Sequence, residues 1–249
     1  MKDFSGIKDY QIAVLGVLIA LGAIISTYLL SSGIIQFQKL QAQAITVTGS
    51  ASQKVTSDFA TWNGSFETRN ANLKYGYAKL TADAKAIKDF LVSNGIEASA
   101  IEFSPVNSYA IYKRTPNGYE TNNIEGYRLS QSVTVSSKDI NKITEMSKGV
   151  AALIDKDVEL SSNNVQYFVS NIDDIKIKMV GEATKNAKLR AESMVKSTKG
   201  RIGVMNSAKM GVFQIVPENS TEVSDYGIND TRSIEKKVIA VVNATFTVK

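Results

Sequence analysis

The sequence predicts an α+β fold, in which a body of antiparallel β-strands with packed helices follows one N-terminal transmembrane helix. Residues 10–38 contain no charged residue, which predicts the transmembrane helix. The rest of the chain mixes segments of alternating apolar and polar residues with longer segments in which apolar residues recur every three or four positions. That mixture, without strict strand–helix alternation, is typical of the α+β class.

The apolar segment is long enough to cross a membrane. About 20 apolar residues span a bilayer core, whereas the apolar part of a signal peptide has about 7–15. Lys2 and Lys8 precede the segment, so the positive-inside rule predicts a cytoplasmic N-terminus. We therefore predict an uncleaved signal anchor in residues 1–40, with its helix at about 12–35, and one extracytoplasmic domain in residues 41–249.

The triplet Ala42-Gln43-Ala44 leaves one alternative open. A small residue on either side of a polar one, after an apolar run, is typical of a signal-peptidase site. Cleavage after Ala44 would release a periplasmic body. Residues 31–41 separate the triplet from the densest apolar run, so the uncleaved anchor is favoured.

The first part of the body predicts two strands and a helix. Strands are expected at 44–49, before a break at 49–52, and at 59–67. Residues 72–93 predict the clearest helix, because their apolar residues fall on one stripe. That stripe consists of Leu73, Tyr77, Leu80, Ala84, Ile87 and Leu91. The charged residues expected in solvent are Lys74, Lys79, Asp83, Lys85, Lys88 and Asp89.

The middle of the body predicts a long hairpin. A strand at 101–114, interrupted near Pro105, and a strand at 119–136 flank the turn residues 115–118. Ser137 then caps a further helix. The predicted inner face of that helix is Ile140, Ile143, Met146, Val150 and Leu153.

The last part of the body predicts one long helix among strands. A strand at 158–169 precedes the helix, which is expected at 172–199 and ends before a glycine. A strand at 202–216, a polar mobile loop at 217–233 and an alternating strand at 235–248 complete the chain.

The composition excludes several kinds of chemistry. The 249 residues include no cysteine and no histidine, and the net charge is +5. Disulfides, thiolate nucleophiles, imidazole bases and Cys/His zinc sites are therefore excluded. No phosphate-binding loop or nucleophile elbow occurs, and the charge is too small to indicate nucleic acid. We predict a protein that is not an enzyme and has no cofactor and no nucleic-acid partner.

Three stretches resemble signatures of the SIMPL family. The first, ITVTGSASQKVTSDFATWNGSFET, resembles the family's opening signature, although Ser57-Asp58 stands where Pro-Asp is usual. The helix exit AKLRAESMVKSTKGRIGVMNSAKMG resembles the second signature through Gly200 and Gly203, and KKVIAVVNATFTVK fits the last strand. The resemblance covers about residues 44–249.

The resemblance implies an extracytoplasmic bacterial protein with an α+β fold and a tendency to form homo-oligomers. Some family members are loosely linked to defence against oxidative stress. No catalytic residues are established for the family, so the resemblance assigns none to this chain.

The long helix carries a candidate basic surface strip. At about 100° per residue, five of its lysines fall within an arc of about 80°. Such a strip is either a solvated outer face or a surface for anionic headgroups or an acidic partner. The lysines are Lys178, Lys185, Lys188, Lys196 and Lys199.

Two groups of carboxylates are candidate sites. Asp155, Asp157 and Glu159 alternate and would share one face of a strand, as an oxygen-ligand metal site requires, but a charged turn is the favoured interpretation and no metal is predicted. Asp173 and Asp174 begin the long helix, where negative charge complements the helix dipole, so they are interpreted as structural.

The leading functional hypothesis is a non-enzymatic, homo-oligomeric assembly or interaction module of the cell envelope. The hairpin at 101–136 offers strand edges that can pair with another copy. The body would lie in the periplasm or extracytoplasmic space, anchored in the cytoplasmic (inner) membrane. The alternative is a stress-defence protein that binds a small ligand or an envelope partner, and the third hypothesis is a metal-dependent hydrolase with oxygen ligands.

Overall fold

A computed structural model describes the backbone of residues 5–42 and 44–249 and the side chains of residues 14–34 and 44–249. Within these residues the chain forms four α-helices and eleven β-strands in mainly antiparallel sheets, which confirms the predicted α+β class. The first helix, α1 (Ser5–Ala42), contains the apolar stretch Val14–Ile34, none of which is buried. Because about 20 apolar residues span a bilayer, α1 could anchor the chain in a membrane.

Two predictions about the N-terminal segment fall on residues outside this description. Lys2 and Gln43 lie outside the described residues, as do the side chains of Lys8 and Ala42. The predicted orientation of the anchor and the alternative of cleavage after Ala44 therefore stay predictions.

The body consists of three further helices and eleven strands. The helices are α2 (Leu73–Ser93), α3 (Ile140–Gly149) and α4 (Ile172–Lys196), and short 3-10 helices occupy Ala98–Ala100 and Val150–Lys156. The strands are β1 (Ala44–Thr56), β2 (Phe59–Asn70), β3 (Ile101–Phe103), β4 (Asn107–Arg114), β5 (Glu120–Ser137), β6 (Leu160–Ser162), β7 (Gln166–Phe168), β8 (Ile202–Met210), β9 (Gln214–Pro217), β10 (Ile228–Asn229) and β11 (Glu235–Val248).

The chain divides into two compact units. The first consists of Met1–Ala51, Val180–Gly211 and Val241–Lys249, and the second consists of Ser52–Met179 and Val212–Ala240. β1, α4 and β11 contribute residues to both units. The predicted division into an anchor at 1–40 and one domain at 41–249 stays a prediction.

The second unit contains a sheet with β5 and β2 at its centre. Its strand order is β3-β5-β2-β6, β4 also pairs with β5, and β7 also pairs with β2. β2 and β5 are antiparallel from Ala60 opposite Ser137 to Asn70 opposite Tyr127. Alternate residues of these strands pack with α2 and α3 in one core. Its fully buried side chains include Trp62, Leu80, Ile87, Leu91, Leu129, Val133, Val135, Ile143 and Leu153.

A smaller set of strands completes the second unit. The N-terminal half of β11 pairs antiparallel with β9, with Lys236 opposite Pro217 and Ile239 opposite Gln214. β10 pairs with β9 in parallel, which is an exception to the predicted antiparallel arrangement. This short strand lies inside residues 217–233, which the sequence predicted as a loop.

The first unit packs α4 against β-strands through very small residues. The C-terminal half of β11 pairs antiparallel with β8, and β1 lies along β11, with Thr48 Oγ1 donating to Asn243 Oδ1 at 2.6 Å. A Cβ atom built on Gly49 of β1 would lie 2.2 Å from the carbonyl oxygen of Ala183 and 2.3 Å from the backbone nitrogen of Ala187. The strand can approach the helix only because residue 49 has no side chain.

Gly49 therefore has a different role from the predicted one. The sequence predicts a break at residues 49–52, but β1 runs unbroken from Ala44 to Thr56. The glycine serves close packing rather than a turn, and the prediction of a break was wrong.

Several other predicted boundaries were also wrong. The predicted strand at 158–169 is two short strands, β6 and β7, which pair with separate parts of β2. The predicted strand at 202–216 is divided into β8 and β9, with Gly211 between them. α4 ends at Lys196 instead of 199, because Lys199 has the left-handed φ of 63° and the Gly200 N–H bonds to the Val195 carbonyl.

The predicted stripe of α2 is only partly correct. Leu80, Ile87 and Leu91 are buried as predicted, but Leu73 and Tyr77 are exposed. Asp83, which was expected in solvent, is buried and forms an ion pair with Lys79 at 2.5 Å. A charged residue can lie on the inner face of a helix when a long side chain one turn away supplies the counter-ion.

Replacing Gly49 with alanine should destabilise the first unit. The added Cβ would overlap backbone atoms that cannot rotate away, so we expect a loss of about 1–3 kcal/mol or more in the free energy of unfolding. The measurement is chemical denaturation of the full chain in detergent. Gly181→Ala is the matched control, because it lies in α4 with no heavy atom within 4 Å of its Cβ position. It should raise stability by about 0.5–1 kcal/mol, and equal losses in both variants would contradict the Gly49 packing.

Candidate functional site

The hairpin of β4 and the outer part of β5 has open strand edges. β4 pairs with β5 from Asn107 opposite Ser130 to Arg114 opposite Glu120. β2 pairs with β5 only as far as Tyr127. Among the described residues, β4 and the Glu120–Gly126 part of β5 therefore have a strand partner on one side only. We call residues 107–126 the hairpin arm, and β4 with β5 confirms the predicted hairpin.

The arm carries aromatic side chains in solvent. Tyr109, Tyr112, Tyr119 and Ile124 are all exposed, and Tyr109 has 64% of its surface accessible. The arm borders an open cavity of about 560 Å³. Arg114 and Glu120, which line this cavity, form an ion pair at 3.1 Å. An exposed edge with aromatic side chains has what strand addition needs, namely free backbone groups and side chains that can be buried by a partner.

A second candidate site surrounds a lysine that the sequence analysis missed. Lys236 of β11 is buried, with 2% of its surface exposed. Its ammonium donates to the backbone carbonyls of Tyr167, at 2.7 Å, and of Asp230. Strand alternation could have revealed it, because Lys236 occupies the same face of β11 as the buried Val238 and Ala240.

A cavity of about 390 Å³ lies beside Lys236. Its wall is mainly aromatic and aliphatic, and Lys176 of α4 is the second cation on it. Lys176 is partly exposed and pairs with Asp173 at 3.1 Å. The aromatic lining residues are Tyr167, Phe168, Phe213 and Tyr226. The site therefore combines aromatic and aliphatic side chains with one deep and one shallow positive charge.

The charge of Lys236 is poorly compensated. None of the ion pairs in the described part of the chain includes it. Burial lowers the pKa of the Lys236 ammonium, and the nearby charge of Asp230 only partly opposes that effect. The Asp230 carboxylate instead accepts from the backbone N–H groups of Arg232, at 2.9 Å, and Ser233, at 3.3 Å.

The pKa of Asp230 shows which contacts hold its carboxylate. Burial alone would raise this pKa, but the hydrogen bonds from Arg232 and Ser233, together with the charge of Lys236, outweigh burial and lower it. The turn that contains Asp230 therefore stabilises its carboxylate as an anion. The backbone carbonyl oxygen of Asp230 accepts a hydrogen bond from Lys236.

The segment that carries Tyr226 is held over the cavity by local bonds. Gln214 is buried, and its amide donates to the Ser224 carbonyl at 2.6 Å and accepts from the Ser224 N–H at 3.3 Å. Gly227 has φ of 84°, and a Cβ there would lie 2.9 Å from the Phe213 carbonyl oxygen. A left-handed residue with no side chain is needed to bring Tyr226 to the cavity rim.

Asp58, the acid of the Ser57-Asp58 pair, fixes the segment that precedes α4. Its carboxylate accepts from the backbone N–H of Ser170, at 2.7 Å, and from the Ser170 hydroxyl. Those two hydrogen bonds lower the pKa of the Asp58 carboxyl. Its neighbour Ser57 is buried, and its hydroxyl has no hydrogen-bond partner among the described residues.

The five lysines of the predicted basic strip are all exposed. Lys178 belongs to the second unit and the other four to the first. Lys185, Lys188 and Lys196 lie in α4, but Lys199 follows the end of the helix, and Lys188 pairs with Glu192 at 3.8 Å. Whether the strip binds anything stays a prediction.

The alternating carboxylates do not share a strand. Asp155 lies in a 3-10 helix, and Asp157 ends that helix in the left-handed region with φ of 54°. The Asp157 carbonyl accepts from Lys79 at 2.9 Å. Within the described residues, no group of three acidic residues is placed to hold a metal ion.

The chain matches the family model SIMPL, described as a protein of unknown function (DUF541), over residues 45–246. The match confirms the resemblance found in the sequence and covers nearly the same residues. No curated protein shows a significant match to the chain.

Replacing Asp58 with asparagine should make the free energy of unfolding change less with pH in the acid range. A carboxyl with a lowered pKa stabilises the fold above its unfolded pKa of about 3.9, and that contribution is lost as pH falls through the lower folded value. At pH 7 the variant should therefore have a lower Tm, by roughly 2–4 °C for each 1 kcal/mol lost.

The measurement is the Tm of wild type and Asp58→Asn between pH 7 and pH 2.5. The difference between the two should be constant near neutral pH and shrink below about pH 4. Asp225→Asn is the control, because this exposed carboxylate has no ion-pair partner in the described part of the chain. A difference that does not change with pH would contradict the role of the Asp58 charge.

Proposed function

The chain belongs to the SIMPL (DUF541) family, and from that premise we propose that it is a membrane-anchored, homo-oligomeric assembly module of the cell envelope. In this proposal α1 anchors the chain in the cytoplasmic membrane, the body lies outside it, and copies associate through the hairpin arm. The protein acts by assembly and not by catalysis. The observation that carries the proposal is the open edge of β4, which carries no charged residue from Asn107 to Tyr112.

The N-terminal part of that edge lacks the features that usually prevent strands from pairing between molecules. Proteins protect edge strands with lysines, prolines, bulges or a covering element. Residues 107–112, which read NSYAIY, contain no charged residue and no proline. The register irregularities of β4 begin only after Ile111, and its charged residues, Lys113 and Arg114, come at its end. The stretch from Asn107 to Ile111 is therefore the part of the arm best suited to pairing.

Membrane anchoring supports association through such an edge. Two chains held in one membrane meet at a much higher effective concentration than two chains in free solution. A short strand edge that would pair weakly in solution can then be sufficient. The positive-inside rule, applied to Lys2 and Lys8, supports a body on the far side of the membrane.

Positive charge introduced into the hairpin arm should lower the fraction of chains in the oligomer. We expect the full chain in detergent to form a defined multimer. Tyr109→Lys combined with Tyr112→Lys should shift it towards monomer at the same concentration, because lysines on an edge strand oppose pairing between molecules. The measurement is mass by light scattering behind size exclusion, corrected for detergent, over a dilution series.

Tyr75→Lys combined with Tyr77→Lys is the matched control. It makes the same two changes at exposed tyrosines of α2, outside the arm. The control should keep the mass of wild type. A monomeric wild type, or an equal loss of mass in both variants, would refute assembly through the arm.

The orientation of the anchor can be tested by labelling single cysteines. The chain has no cysteine, so Ser5→Cys and Ser220→Cys each introduce one unique thiol. In intact cells without an outer-membrane barrier, a membrane-impermeant maleimide should label Ser220→Cys and not Ser5→Cys. Labelling of both positions after lysis is the control, and the reverse pattern in intact cells would contradict the proposed topology.

A further inference from the structure

We propose that the cavity beside Lys236 is a binding site for a small organic anion, a carboxylate on an aromatic or apolar body. The carboxylate would approach the Lys236 ammonium, and the body would lie against the aromatic wall. This inference is independent of the proposed assembly, because the cavity and the hairpin arm share no residues.

The argument begins with the donors of Lys236. An ammonium group has three N–H donors, and two of them bond to the carbonyls of Tyr167 and Asp230. The third has no protein acceptor among the described residues, and Lys236 lines the cavity. A buried N–H without an acceptor is costly, so an acceptor that enters the cavity would be favoured.

The charge of the site specifies an anion. Two carbonyl oxygens supply partial negative charge, and the nearby Asp230 carboxylate, which forms no ion pair with Lys236 among the described residues and is engaged by Arg232 and Ser233, compensates the ammonium only in part. Lys176 adds a second positive charge on the cavity wall. A ligand carboxylate would form a direct ion pair with a buried charge that Asp230 compensates only in part, and charge attraction is stronger inside the protein than in water.

The wall and the volume specify the rest of the ligand. About 390 Å³ is near the small end of the range for ligand pockets, which is about 300–1,000 Å³. Phe168, Phe213 and Tyr226 offer faces on which a ring or short chain can be buried. A free inorganic anion would leave that wall in contact with water, so an organic acid fits better than phosphate.

The rim suggests how the ligand is covered. Tyr226 is 96% exposed, and its segment is held by the Gln214–Ser224 bonds and by the left-handed Gly227. A large aromatic side chain held in solvent at a cavity mouth can bury its ring against an occupant. Removing this ring should therefore weaken binding without affecting the core.

The first experiment measures binding of indole-3-acetate by calorimetry to the full chain in nanodiscs, with empty nanodiscs as the blank. The matched probes are indole-3-acetamide, which has the same body without the charge, and inorganic phosphate, which has charge without the body. Saturable binding of the acid with at least tenfold weaker binding of both other probes would support the proposal. Equal binding of acid and amide, tighter binding of phosphate, or no saturable binding of the acid would overturn it.

The second experiment locates the bound acid with variants. Lys176→Gln and Tyr226→Ala should each weaken binding of indole-3-acetate by about threefold to tenfold, because they remove one charge or one ring from the wall. Lys178→Gln is the matched control, since this exposed lysine of the same helix does not line the cavity. Loss of affinity in Lys178→Gln equal to that in Lys176→Gln would overturn the proposed location.

The buried lysine itself is tested with Lys236→Met, which keeps the volume and removes the charge. Binding of indole-3-acetate should fall at least tenfold if the variant retains the circular dichroism and melting transition of a folded chain. A folded variant that binds as wild type would overturn the role of Lys236. If Lys236→Met does not fold, the result with Lys176→Gln, Tyr226→Ala and the three probes decides the proposal.

Discussion

The second unit depends on β2, because this strand holds three others. It pairs with β5 over eleven residue pairs, with β6 at Gly64–Phe66 and with β7 at Phe59–Thr61. Its central side chain, Trp62, is fully buried and donates from Nε1 to the Ser162 hydroxyl at 2.9 Å. A Cβ on Gly64 would lie 2.8 Å from the Trp62 ring, so this glycine makes room for the indole. One strand therefore sets the register of its neighbours, contributes the largest core side chain and satisfies that side chain's polar group.

Much of this arrangement could be predicted from local pattern. Periodicity identified α2, the hairpin of β4 and β5, and part of the inner face of α3, where Ile143 and Met146 are buried. The predicted Val150 and Leu153 are also buried, but they lie in the 3-10 helix that follows α3. The errors arose where a residue served a distant partner. Gly49 looked like a turn residue because its close approach to Ala183 and Ala187 involves residues more than 130 positions away. Nothing within the local sequence distinguishes a glycine of that kind from one in a turn.

The two candidate sites differ in how far the sequence could reveal them. The edges of the hairpin arm follow from strand order, and the sequence predicted that such edges could pair. The cavity depends on Tyr167, Phe213 and Lys236, which come from three different strands or loops. Alternation in β11 could have marked Lys236 as inward-facing, but only the fold places the two carbonyls and the aromatic wall around it.

Two buried charges, Asp83 and Lys236, differ in how the protein compensates them. Asp83 is buried with a lysine counter-ion, Lys79, which is itself tied to the Asp157 carbonyl, so its charge is fully accommodated within the protein. Lys236 has two carbonyls and no ion pair within the described residues. Both positions bear the cost of desolvating a charge. Only at Lys236 does that cost remain partly uncompensated beside a cavity, and an anionic occupant would compensate it.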